Sequence, residues 1–137
     1  MTHYLSRNVV LEKMTSEQNK QQFKFWLEYS QQLSGAIRYH EALTAAERAI
    51  ALDESSVEAW YAKGTCLCML AQYEQALQTF EHALQLNPHY VPAWDGKAWA
   101  LGILGRRDEA LEAVNKALEL DPDYFDAQKR KKRLETL

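Results

Sequence analysis

The chain has little of the residues that interrupt regular structure. Five glycines and three prolines are spread over 137 residues, too sparsely for a cluster of glycines that could cradle a phosphate. Gly102 and Gly105 fall near the end of a helical stretch, where Gly105 reads as a turn residue. Cysteine is scarcer still. Cys66 and Cys68 are the only two; on a helix their side chains diverge by roughly 200°, so they cannot readily bridge each other. Cys-x-Cys also lacks the second ligand pair that a zinc site requires. No apolar run reaches the length of about eighteen residues that spans a membrane. The opening MTHYLSRNVVLEKM has no apolar core long enough for a secretory signal.

These absences set the expectation of a soluble cytoplasmic protein in a reducing compartment, with no membrane segment, metal or cofactor. Catalysis has as little support. His3, His40, His82 and His89 are scattered, and no serine or cysteine has a base at a spacing that implies a pair. The expectation is a non-catalytic protein.

What the chain does have is one phrase written three times. AIALDESSVEAW (Ala49 to Trp60) returns as ALQLNPHYVPAW (Ala83 to Trp94) and again as ALELDPDYFDAQ (Ala117 to Gln128), each copy 34 residues after the last. With that period, residues 23–56, 57–90 and 91–124 align without a gap. Tryptophan recurs at Trp26, Trp60 and Trp94, and alanine at Ala42, Ala76 and Ala110 and at Ala49, Ala83 and Ala117. Leucine recurs at Leu33, Leu67 and Leu101 and at Leu52, Leu86 and Leu120. Such self-similarity is the mark of a stacked repeat. Its hydrophobic fraction of 47% and charged fraction of 26% are those of an ordinary globular chain of about one domain.

Each unit reads as two helices. In the second, Trp60, Gly64, Leu67 and Leu70 fall at helical spacing, and after a break near Ala71–Gln72 a second series follows in Tyr73, Ala76, Leu77, Phe80, Ala83 and Leu84. Pro88 and Pro122 then stop the second helix. Small residues at the eighth place of each unit, Ser30, Gly64 and Ala98, let two backbones approach closely. These residue types at these spacings build a packed core.

At these columns the chain resembles the tetratricopeptide repeat family. Trp60, Gly64, Ala76, Phe80, Ala83 and Pro88 match its pattern in the second unit, and Trp94, Ala98, Ala110, Ala117 and Pro122 in the third. Lys63 and Leu67 depart from it, Glu54 stands in the proline column, and Gly35 comes two residues before the expected turn. The resemblance spans residues 23–124. It implies an all-α, right-handed superhelical solenoid of three hairpins (23–56, 57–90, 91–124). A capping helix (125–137) and an N-terminal extension (1–22) running into the first helix flank them. The cap explains Gln128 in the tryptophan column, since no further hairpin follows; its apolar residues are Phe125, Ala127, Leu134 and Leu137. Thr15 with Gln18 resembles a capping box, which starts the first helix near Ser16. For residues 1–14 two readings stand: a helix covering the first hairpin, or an arm that reaches a partner.

In that family the first helices of successive hairpins line a concave groove, with places 2, 5, 6, 9, 12 and 13 of each unit facing in. The resemblance then implies a groove of Lys24, Leu27, Glu28 and Gln31, followed by Glu58, Tyr61, Ala62, Thr65, Cys68 and Met69. The third unit adds Pro92, Asp95, Gly96, Trp99, Gly102 and Ile103, and Lys129, Arg130 and Arg133 close the row at a basic end. Chaperone-tail clamps of this family need lysine, asparagine and arginine where this chain has Leu27, Gln31, Ala62, Pro92 and Gly96, so such a partner is not expected. Trp99 lies roughly 140° from Trp94 on its helix. With Gly96 and Gly102 as its neighbours it is expected to anchor a pocket with Tyr61, Thr65 and Ile103, with Arg130 and Arg133 meeting an acidic group beside it.

The run KRKKR (Lys129 to Arg133) polarises the charge: without it 11 basic residues face 19 acidic ones. A solvated cap face, a site for acidic protein segments, and RNA binding or nuclear import all fit. The overall acidity argues against nucleic acid. The leading expectation is a protein–protein interaction module that binds a peptide or protein segment in its groove. Two alternatives are a scaffold that self-assembles head to tail, acidic body to basic end, giving a homo-oligomer, and an RNA or acidic-ligand binder.

Overall fold

The computed structural model describes residues 14–137. Among the described residues there are seven helices and no strand: α1 Ser16–Gly35, α2 Tyr39–Leu52, α3 Val57–Met69, α4 Tyr73–Leu86, α5 Val91–Ile103, α6 Arg107–Leu120 and α7 Phe125–Glu135. α1 with α2, α3 with α4, and α5 with α6 pack as hairpins, and α7 lies against α5 and α6. The expected all-α solenoid of helix hairpins is what forms. Of residues 1–14, only Met14 is described, so the extra helix and the arm both lie outside the described residues.

Local chemistry sets the helix ends. Thr15 caps α1: its hydroxyl accepts from the Gln18 N–H at 3.1 Å, and the Gln18 side chain accepts from the Thr15 N–H at 2.9 Å, so two N–H groups with no helical partner are satisfied reciprocally. Within each hairpin the chain turns at a residue of positive φ, Ile37 (63°), Ala71 (60°) and Gly105 (79°). The next N–H reaches back to the leucine column: Arg38 to Leu33, Gln72 to Leu67 and Arg106 to Leu101, at 2.8–2.9 Å. This is the six-to-one closure of a helix C-terminus. The first turn is therefore regular, and Gly35 takes no part in it. Ile37, a β-branched residue, occupies the left-handed region that favours glycine.

Between hairpins another column closes the loop. The carboxylate of Asp53, the amide oxygen of Asn87 and the carboxylate of Asp121 each accept an N–H two residues on, from Ser55, His89 and Asp123, the geometry of an Asx turn. The tryptophan column ties these loops down. The Trp60 indole N–H donates to the Glu54 carbonyl at 2.9 Å and that of Trp94 to the Pro88 carbonyl at 2.7 Å. Gln128 donates its amide to the Pro122 carbonyl at 2.7 Å. The last copy of the phrase thus loses the indole's area but keeps its hydrogen bond.

The alanine columns are fully buried, as close helix crossings require. Phe80 is also fully buried, gripped by two glycines: a Cβ on Gly64 would come within 2.5 Å of its ring, and one on Gly96 within 2.6 Å. Curvature follows from which helices touch. α1 meets α3, α3 meets α5 and α5 meets α7, whereas α2, α4 and α6 do not meet one another among the described residues. The first helices of the hairpins therefore crowd the inner side of the curve, and the second helices fan outward.

Candidate functional site

The inner side carries a groove of about 350 Å³ between α1 and α3, a volume typical of small binding clefts. Ser30, Gln31, Ser34 and Gly35 line it from α1, Glu58, Tyr61, Ala62, Thr65 and Cys66 from α3, and Tyr90 from the loop before α5. Helical spacing explains the set: Glu58, Tyr61, Ala62 and Thr65 fall three or four residues apart and share one face. The Ser30 hydroxyl donates to the Ala42 carbonyl at 2.7 Å, which locks α1 to α2 beneath the groove. Thr65 donates to the Tyr61 carbonyl at 3.1 Å. The Tyr61 and Tyr90 rings meet edge to face with centroids 5.7 Å apart.

Electrostatics at the tyrosines point one way. Burial, aided by the carboxylates of Asp95 and Asp126, raises the Tyr61 phenol above its ordinary range. Burial and then Glu58 do the same for Tyr90, and burial raises Tyr124 likewise, with help from Tyr61 and Asp95. All three phenols stay neutral at physiological pH. Burial also pushes the Cys68 thiol up to about 12 and raises Cys66, so neither is a poised nucleophile. Among the described residues no group of three or more histidine, cysteine or acidic side chains could hold a metal ion.

The structure divides the residues expected in the groove. Gln31, Tyr61 and Thr65 line this groove together, and Met69 and Ile103 are exposed. Leu27 is different: it is buried, packed with Ala49, Ile50 and Ala59 where the first two hairpins meet. Gly96 points at Phe80, and a Cβ on Gly102 would lie 3.2 Å from Leu134 of α7. The two glycines make room for core and cap. Trp99 is half-buried against the core with the Arg130 guanidinium 5.5 Å from its ring, and neither it nor Ile103 lines the groove.

Arg130 does not wait for an acidic ligand either. It donates Nε and Nη2 to the buried Asp95 carboxylate at 2.7 and 3.1 Å, a bidentate pair that holds α7 to α5. Lys129 sits 5.2 Å from the Phe125 ring, and Arg133 is exposed. The basic run is thus one structural arginine among surface cations. Sequence reasoning missed Ser30, Ser34, Gly35, Cys66 and Tyr90 as groove residues. A signal for Tyr90 existed, since Tyr124 shares its column 34 residues on.

Fold and groove define a helix-hairpin repeat solenoid with an open inner face. Comparison with known families and structures makes this specific. The family model described as anaphase-promoting complex, cyclosome, subunit 3 matches residues 4–83 and again residues 35–117. The two matches end 34 residues apart, so the same repeats are read in two registers. The chain belongs to this family of tetratricopeptide-type repeats. No curated protein matches it. Among solved structures it resembles the Arabidopsis OM64 TPR domain, with 22% identity, a TM-score of 0.81, and 86% of this chain and 98% of that one covered. The first TPR of Spaghetti (RPAP3), bound to the HSP90 peptide SRMEEVD, gives 20% identity and a TM-score of 0.80, with 85% and 92% covered. YrrB, a TPR protein with an unusual peptide-binding site, gives 25% and 0.75, with 80% and 57% covered. No helix among the described residues is long and apolar enough to cross a membrane.

Proposed function

We propose that the chain is a non-catalytic interaction module that holds an extended segment of a partner protein along its inner face, over Gln31, Tyr61, Ala62 and Thr65. The observation that carries this reading is the open groove between α1 and α3, lined by aromatic and small polar side chains on rigid helices. Aromatic walls and adaptable hydroxyls suit a peptide main chain and its side chains. The neighbours point the same way, since two of them hold peptides in this fold.

The partner is not an acidic chaperone tail of the kind those neighbours hold. At the places where such tails are clamped this chain has Leu27, Gln31, Ala62, Pro92 and Gly96. Leu27 and Gly96 are turned into the core, and no cation among the described residues lines the groove.

Peptides selected from a random displayed library on the full chain test the proposal. Thr65→Arg, which fills the groove, should weaken selected peptides by roughly tenfold or more with little change in thermal midpoint. Gln78→Arg, at an exposed site on α4, should leave them unaffected. The reverse pattern places binding on the outer face and ends the proposal.

A further inference from the structure

The groove is electrically one-sided. Among the described residues Glu58 is its only charged lining residue, and no basic side chain lies within ion-pair distance of its carboxylate. It stands at the end formed by the first turn of α3, next to the edge-to-face pair of Tyr61 and Tyr90. The other end is formed by Ser34 and Gly35 in the last turn of α1. There the helix presents its partial negative charge, and no basic residue in that turn offsets it.

Two cations of the first and last helices are engaged elsewhere. Arg130 is fixed on Asp95, and Lys24 lies 4.0 Å from Glu28 on the exposed side of α1. The phenols add no positive charge and hold neutral rings whose faces are electron-rich. Two aromatic walls beside an unpaired carboxylate form a receptor for a cation that can also stack.

We propose that the Glu58–Tyr61–Tyr90 end of the groove is a subsite for a basic side chain, arginine foremost, of the bound segment. This rests on the groove reading above and adds the charge of the partner to it. A guanidinium is planar, so it can lie against a tyrosine face while donating two parallel N–H groups to the Glu58 carboxylate. An ammonium can make the ion pair but stacks less well. An acidic segment would meet the Glu58 carboxylate and the helix end as like charges. Glu58 is exposed, so the subsite selects partners by charge more than it anchors them.

The test uses the full chain, isotope-labelled, titrated by NMR with three capped tripeptides: Gly-Arg-Gly, Gly-citrulline-Gly and Gly-Glu-Gly. Citrulline keeps the shape of arginine and removes its charge. The arginine peptide should give saturable shifts at Glu58, Tyr61 and Tyr90, weaker at high salt, and should bind about tenfold more tightly than citrulline. The glutamate peptide should give none at these residues. Glu58→Gln should weaken the arginine peptide about fivefold, and Glu112→Gln on the exposed part of α6 should not change it.

Equal affinity for arginine and citrulline overturns the basic subsite while leaving peptide binding in the groove intact. Saturable shifts from the glutamate peptide at Glu58 do the same. If no tripeptide, and no peptide selected from the library, moves a groove resonance, the groove reading fails and the subsite with it.

Discussion

The two ends of the solenoid differ among the described residues. At the C-terminal end α7 buries only Ala127 and Leu134; the other two apolar residues of the cap, Phe125 and Leu137, are 65% and 81% exposed. Polar geometry supplies the rest: Arg130 on Asp95, Gln128 on the Pro122 carbonyl, and Arg107 Nε on the Leu134 carbonyl at 2.7 Å. At the N-terminal end α1 runs longer and shows Phe25, 55% exposed, with Trp26 and Tyr29 around it. Trp26 has no indole bond to a preceding loop among the described residues. The Arg48 guanidinium lies 4.6 Å from its ring instead. A repeat needs a cover at each end, and a helix of low apolar content can provide one when its polar groups reach buried partners.

The comparison is sharpest between the two arginines. Arg130→Ala strands the Asp95 carboxylate in a nearly buried site, and because the pair keeps some solvent contact the loss should be about 3 kcal/mol, at the low end for broken buried pairs. Replacing both partners, Asp95→Leu with Arg130→Met, should lose less than the single change, because no charge is left unpaired. Urea unfolding reads both. A single-variant loss below the double-variant loss would remove the ion pair from the account of the cap.

The interior between the ends should answer next. Gly96→Ala brings a Cβ within 2.6 Å of the Phe80 ring, which is sealed and cannot swing away. Overpacking should lower stability by about 2 kcal/mol despite alanine's better helix propensity. Gly102→Ala meets only the tip of Leu134 at 3.2 Å and should be nearly neutral by thermal midpoint. Equal losses at the two glycines would deny Phe80 its special position.

The turns give a smaller contrast, about 1 kcal/mol each way. Ile37→Gly relieves a β-branched residue at φ 63° and should stabilise the first hairpin. Gly105→Ala imposes strain at φ 79° and should destabilise the third. Matching signs in urea titrations would mean that neighbouring contacts outweigh backbone strain. Smallest of all, Arg48→Ala at the N-terminal end removes an exposed cation–π contact worth about 0.5 kcal/mol, barely visible beside Arg130→Ala. A loss as large as that of Arg130 would make the two ends equivalent.

The sequence by itself determined the hairpin repeat and its period. Tryptophan, leucine and alanine recur in columns because every unit solves the same packing problem, and local signals such as Thr15 with Gln18 and Pro88 act over a few residues. Tyr61, Thr65 and Gln31 were legible as inner-face residues through the resemblance to the repeat family, which assigns those places, and a helix returns them to one face at fixed spacing. Tertiary structure decided the rest. Whether Leu27 or Gly96 faces the groove or the core depends on the angle at which one hairpin meets the next, and Phe80, a residue of a different helix, claims the space beside Gly96. The 35 residues that separate Arg130 from Asp95 hide their pairing from any periodic pattern, because a single long-range charge contact has no repeat to announce it. Only the folded chain could turn a run of five basic residues into one buried tie and a set of surface charges, leaving Glu58 as the groove's sole charge among the described residues.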